Sequence, residues 1–254
     1  MRGILLVSLL VLLPVAQTGA AGLPDTIQRI KPAIVAVGTF MPLRQGQQDL
    51  RGTGFVLGGN HAITNNHVIP DKLDAGRREV VAVFVPAADN RAEVRPAKVV
   101  ARDAEHDLCL LRFEGPPLPG LRLGKDAEVR EGQVIAFTGF PILAALGPHP
   151  ATHSGIVAAI TPVVIPVGSG GQLTPDVVTR LDRPLNIFQL DAVAYPGSSG
   201  SPVYDPDSGR VLAVVNSTFV KATKETAITA PSGISYAIPV SHVRALLAGA
   251  GVKE

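Results

Sequence analysis

Gly52-Thr53-Gly54-Phe55-Val56-Leu57 and, after Gly58-Gly59-Asn60, His61-Ala62-Ile63-Thr64 place two apolar, β-branched runs almost end to end. Runs this short, rich in Val, Ile, Thr and Phe and separated by Gly and Asn, read as strands rather than helices. Working outward, runs of the same kind recur at Ala33–Phe40, Val80–Val85, Val94–Ala101 and Leu108–Phe113, which makes one set of about six strands. Beyond the Pro/Gly-rich stretch Gly115–Gly124 lies a second set: Gln133–Phe137, Ser154–Ile160, Leu185–Leu190, Pro202–Tyr204, Val211–Ser217 and Ile234–Ile238. A short helix is predicted around Asp25–Ile30, and the amphipathic stretch Val240–Leu247 predicts a helix that closes the chain. No helical segments alternate with the strands, so a βαβ sheet is excluded and two antiparallel barrels are expected, over about residues 33–114 and 125–239. Gly139–His153 and Val167–Arg183 carry no strand or helix pattern and are expected as loops, where a β scaffold usually places its binding specificity.

Composition fits this reading. Gly (26) and Pro (22) interrupt the chain of 254 residues too often for long helices. With 46% apolar and 17% charged residues and a formal charge of +2, the chain has neither the signature of disorder nor the basic excess of a nucleic-acid binder. Eight Phe, three Tyr and no Trp leave few rings for stacking on bases. Met1-Arg2-Gly3, the apolar run Ile4–Val15 and the small residues Thr18-Gly19-Ala20-Ala21 predict a secretory signal peptide over 1–21, since the run is too short to span a bilayer. Its loss removes Arg2 and takes the charge from +2 to +1. The remaining domain, 22–254, is expected to be secreted or periplasmic, with no membrane span. Its lone Cys109 cannot form an internal disulfide, which points to a bacterial envelope. In Leu108-Cys109-Leu110-Leu111 that thiol is expected to be buried and inert.

Three local patterns carry chemistry. In Gly197-Ser198-Ser199-Gly200-Ser201-Pro202 the glycines flanking Ser199 let the backbone turn so that its amides converge on one point, as an oxyanion hole requires. A Gly/Ser/Pro stretch by itself is more often a plain turn. In Ala62-Ile63-Thr64-Asn65-Asn66-His67-Val68-Ile69 a strand runs through a polar Asn pair into His67, which can face a cleft as a general base. A lone histidine is more often structural, and His61 and His106 are read that way. In His106-Asp107-Leu108 an acid stands at the start of an apolar strand, where its carboxylate can reach a histidine Nδ1–H and fix the tautomer. Together, in the order His67, Asp107, Ser199, the three match the chain order of chymotrypsin-type enzymes and not that of α/β-hydrolases. The six histidines are scattered without ligand spacing, so no metal and no cofactor are expected.

These motifs, together with Leu23-Pro24-Asp25, Ser154-Gly155-Ile156-Val157, Gln189-Leu190-Asp191-Ala192 and Tyr236-Ala237-Ile238-Pro239, resemble the HtrA/Deg branch of trypsin-like serine proteases over nearly the whole mature chain. The resemblance implies an all-β fold of two perpendicular six-stranded antiparallel β-barrels with a short C-terminal helix and the triad in the cleft between them. It implies His67 as base, Asp107 as its orienting acid and Ser199 as nucleophile, with the amides of Gly197 and Ser199 forming the oxyanion hole. It also implies Val193, Asn216, Ser217 and Thr218 as substrate-binding residues, and polypeptides as partners, with homo-oligomers as a further option. Three departures stand out: Ser198 and Ser201 replace the Asn and Gly common around the nucleophile, Tyr195 replaces a usual Asn, and the family's PDZ module is not expected. In digestive relatives a new N-terminal ammonium pairs with an Asp directly before the nucleophile; here that residue is Ser198, so activation by N-terminal insertion is not expected. The expected activity is that of a serine endopeptidase acting through an acyl-enzyme on unfolded proteins. The alternative is a catalytically weak homologue that binds peptides in the same cleft.

Overall fold

The computed structural model describes residues 22–43, 47–87, 91–142, 147–163, 185–216 and 233–254. The predicted signal peptide, the predicted loop Val167–Arg183, and Ser217 and Thr218 lie outside these residues.

Helix α1 (Leu23–Ile30) opens the described chain. It is followed by β1 (Ile34–Phe40), β2 (Gln48–Gly58), β3 (His61–Asn65), β4 (Val80–Pro86), β5 (Ala92–Asp103) and β6 (Leu108–Phe113). Then come β7 (Val134–Gly139), β8 (Ala151–Val163), β9 (Leu185–Asp191), β10 (Pro202–Tyr204), β11 (Val211–Asn216) and β12 (Ile234–Pro239), and helix α2 (Val240–Gly249) ends the fold. Each set of six closes on itself through antiparallel pairs, in the order β1-β2-β3-β6-β5-β4 and, read from β7, β7-β8-β9-β12-β11-β10. The second barrel thus repeats the first with every strand number raised by six.

Closure removes the strand edges, and the apolar content of the strands explains why the barrels form. β1 is buried along nearly its whole length and β11 along all of it, because one face fills a barrel interior while the other is covered by the neighbouring barrel or by α2. Phe55, Phe84, Leu110 and Leu111 of the first barrel share one core with Val243 and Leu247 of α2, so that helix fastens onto the barrel it did not come from. Phe137, Val157, Phe188, Leu190 and Val215 make a smaller core inside the second barrel.

The predicted strands are all present, with one correction at a loop. β8 begins at Ala151, inside the stretch expected as a loop up to His153, because Gly139, Thr138 and Phe137 pair with Ala151, Thr152 and His153. Backbone pairing there needs no apolar alternation, so those residues carry no strand pattern.

Near the start of the described chain, α1 is tied to the turn that follows β10. Arg29 Nη2 donates to Asp207 O at 3.3 Å, in the turn that follows β10, whereas the loop around Ser199 precedes β10.

Candidate active site

Three connections from the two barrels carry the predicted site residues; those of His67 and Asp107 hydrogen-bond to each other, and the third reaches the first barrel where the Thr53 N–H donates to Ser199 O at 2.8 Å. β3 ends in the short 3₁₀ turn Asn66–Val68 that carries His67. The β5–β6 turn carries Asp107, and the β9–β10 connection carries Ser199. The Asn pair before His67, read from sequence only as a polar lead-in, binds the acid: Asn65 Nδ2 donates to Asp107 O at 3.0 Å and the Asn66 N–H to the same oxygen at 3.1 Å. These bonds hold Asp107 at a φ of 52°, in the left-handed region that Asp tolerates better than most residues.

The Asp107 carboxylate grips His67 at two points. The His67 backbone N–H donates to Oδ1 at 2.9 Å, and its ring Nδ1 lies 2.6 Å from Oδ2. With Nδ1 donating to the carboxylate, Nε2 is the ring atom left to accept a proton. A third donor was missed by sequence reading. Asn216 Nδ2, at the end of β11, donates to Asp107 Oδ2 at 2.8 Å. Asn216 is buried, with its side-chain amide turned to the acid. A polar residue ending a wholly apolar strand was the available signal, since a buried amide needs a partner.

The loop that carries Ser199 is pinned at successive carbonyls. The Ile142 N–H donates to Pro196 O at 2.7 Å, the Thr53 hydroxyl to Gly197 O at 2.7 Å, and the Ser201 N–H to Ser198 O at 3.0 Å. In a trans peptide C=O and N–H point opposite ways, so each pinned carbonyl fixes the direction of the next amide. Gly197 has a φ of 100°, open in practice only to glycine, and among the described residues its N–H has no partner. Gly200, at a φ of 88°, packs so tightly on β2 that a Cβ there would lie 2.0 Å from Thr53 O.

The two serines that depart from the family pattern are both fully buried, and neither Oγ has a hydrogen-bond partner among the described residues. Ser201 keeps an ordinary φ, and its hydroxyl fills the space that a side chain at Gly139 would need. Val193 is half-buried after β9, its flanks tied by the Ser235 hydroxyl, which donates to Ala192 O and accepts the Ala194 N–H.

Residues read as structural have other surroundings. His106 Nδ1 lies 2.6 Å from Asp103 Oδ2, and its ring stacks on His242 of α2 with centroids 3.9 Å apart. His61 faces out beside Arg112; partial burial, then that guanidinium, lower its pKa. Burial pushes the Cys109 thiol up to about 11, so it does not form a thiolate near neutral pH.

Comparison with known proteins fits this geometry. Residues 52–214 match the trypsin-like peptidase domain family. A "Probable periplasmic serine endoprotease DegP-like" of Pseudomonas fluorescens is 28% identical over 78% of this chain and 34% of its own length. A protein of the same description from Hahella chejuensis is 26% identical over 88% of this chain and 48% of its own. The chain therefore spans between a third and a half of these curated relatives. Among solved structures, the HtrA-type protease AlgW with a tripeptide superposes with a TM-score of 0.63 at 23% identity, over 90% of this chain and 63% of that one, a likeness of fold. The domain match, the relatives and the two-barrel fold agree: the chain belongs to the trypsin-like peptidase family, in its HtrA branch.

Proposed function

We propose that the protein is a serine endopeptidase that cleaves unfolded polypeptides through an acyl-enzyme. The observation that carries this reading is the two-point grip of Asp107 on His67, together with a Ser199 loop in which the Gly197 amide has no partner among the described residues. In the proposed cycle Ser199 Oγ attacks the scissile carbonyl carbon while its proton passes to His67 Nε2. The carbonyl oxygen takes the negative charge and is held by the Gly197 and Ser199 amides. Asp107 stabilises the imidazolium, which then gives the proton to the leaving amine as the C–N bond breaks. Water, deprotonated by the same Nε2, hydrolyses the ester and frees Ser199. The names of the relatives favour a periplasmic site of action.

The test is a fluorophosphonate probe on the purified protein, with peptide hydrolysis measured in parallel. Labelling is expected at Ser199 and should vanish in Ser199→Ala, while Ser199→Ala and His67→Ala each remove nearly all turnover without unfolding the chain, because members of a triad act as one unit. Near-normal hydrolysis in either variant would show the assignment to be wrong. The buried hydroxyls of Ser198 and Ser201, which have no partner among the described residues, are what favour the weak, peptide-binding alternative. An unlabelled protein that still binds unfolded peptide would establish it.

Val193 stands six residues before the proposed nucleophile, where trypsin has an acid. An apolar group cannot pair a cationic side chain, so cleavage after small or medium aliphatic residues is expected. A cleavage profile dominated by Lys and Arg would contradict this.

A further inference from the structure

We propose that Thr53, on β2 of the first barrel, is a positioning residue for the oxyanion donors of the second. The proposal rests on the reading of Ser199 as nucleophile. Thr53 is fully buried, and each of its polar groups is engaged. Its N–H donates to Ser199 O at 2.8 Å, and its carbonyl accepts the Thr64 hydroxyl at 2.7 Å. Its own hydroxyl donates to Gly197 O at 2.7 Å and accepts the Phe140 N–H at 3.0 Å. Two of these four bonds end on the nucleophile loop, and a third ends on the segment following β7, whose Ile142 pins Pro196 O.

The consequence follows from peptide planarity. The proposed donors lie in two planes, Gly197 N–H in the 196–197 peptide and Ser199 N–H in the 198–199 peptide. The 197–198 plane joins them, and the Thr53 hydroxyl holds its carbonyl. Glycine supplies no side-chain restraint of its own at 197, so the angle between the two donors depends on bonds from outside the loop. Thr53 thus touches no reacting atom. It acts by keeping two amides aimed at one point, which matters when charge develops on the carbonyl oxygen and hardly at all when substrate first binds.

The experiment compares Thr53→Val, which keeps the shape and loses the hydroxyl, with Thr53→Ser, which keeps the hydroxyl. Active sites are counted with the fluorophosphonate probe, so that rates are expressed per active site. Thr53→Ser is expected within about twofold of the parent protein. Thr53→Val is expected to lose about 10- to 100-fold in kcat with KM nearly unchanged, somewhat less than deletion of one oxyanion donor costs. Affinity for a peptide boronate, whose adduct with serine is tetrahedral, should fall by the same factor. Affinity for the unreactive peptide, measured in a Ser199→Ala background, should not move. A merely structural role would lower the count of active sites and leave kcat per site and boronate affinity intact, and that result overturns the proposal. If Thr53→Val does not fold, Thr53→Ala is put through the same measurements, and a Thr53→Ser variant as impaired as Thr53→Ala is equally fatal. Hydrolysis that persists in Ser199→Ala refutes the nucleophile, whereas an inactive Ser199→Ala beside a normal Thr53→Val refutes only the role of Thr53.

Discussion

Asp107 accepts five hydrogen bonds, three on its carboxylate from His67 and Asn216 and two on its carbonyl from Asn65 and Asn66. The aspartate is thereby fixed in position, and among the described residues its charge is met by these donors and by no Lys or Arg ion pair. Asp107→Asn puts an amide against His67 Nδ1 and favours the wrong tautomer, for which a loss on the order of 10⁴ in kcat is expected. Asn216→Ala removes one donor to a charged acceptor, an interaction of about 1.5–3 kcal/mol, so kcat/KM should fall by roughly 10- to 100-fold. Because both act through the same imidazole, the double variant should be little worse than Asp107→Asn alone. Kinetics of the two single variants and the double on one peptide check this, and an unaffected Asn216→Ala would contradict it. His67, Asp107 and Ser199, the proposed base, acid and nucleophile, stood out in the sequence because those three residue types occur in a distinctive chain order, and the structure joins the first two by hydrogen bonds. Asn216 as a partner of the acid, and Thr53 as a clamp, were not legible. Amide and hydroxyl groups are common, and what they bind depends on a tertiary approach that no local pattern records.

At the level of elements, β6 and β10 coincide with their predicted ranges, while most of the others run one to a few residues further. β5 reaches from Ala92 to Asp103, beyond the apolar Val94–Ala101, since the polar ends of a hairpin pair through backbone alone. The repeated strand order of the two barrels left no trace in sequence, because topology is set by which strands pair, and apolar strands of many sequences can fill the same barrel. The loop between β9 and β10 shows the reverse, a place where single residues are dictated by backbone. Gly200 needs both a left-handed φ and the absence of a Cβ. In Gly200→Ala the added methyl must displace the Thr53 carbonyl of β2 while the backbone carries strain, which together should cost about 3 kcal/mol or more. Denaturant unfolding of Gly200→Ala is expected to show that loss together with a collapse of probe labelling. Unchanged stability would mean that the loop and β2 do not meet as described.

Across the whole molecule, α2 begins where the second barrel ends and packs on the first, and two histidines, His242 of α2 and His153 of the second barrel, are expected to make the fold sensitive to acid. His242 of α2 is held below the ordinary imidazole value of 6.5 mainly by burial and next by the facing His106, while Asp103, Asp126 and Glu105 pull the other way. His153 of β8, stacked on Phe137 with centroids 4.9 Å apart, is lowered by burial. In the unfolded chain both rings take up protons around the ordinary value, but in the folded protein they do so only at lower pH. Between the folded and unfolded values the unfolded chain therefore binds more protons, so stability rises with pH across that window. Above about 6.5 the two rings contribute no pH dependence. Below it stability falls, and their contribution levels off once the pH is under the folded values. The melting temperature is expected to hold between pH 8 and 7 and to drop between pH 6.5 and 5, with a smaller drop in the double variant His153→Gln/His242→Gln. Because Gln carries no charge at any of these pH values, an equal drop in the double variant would assign the acid sensitivity to other groups and remove these two rings as its source.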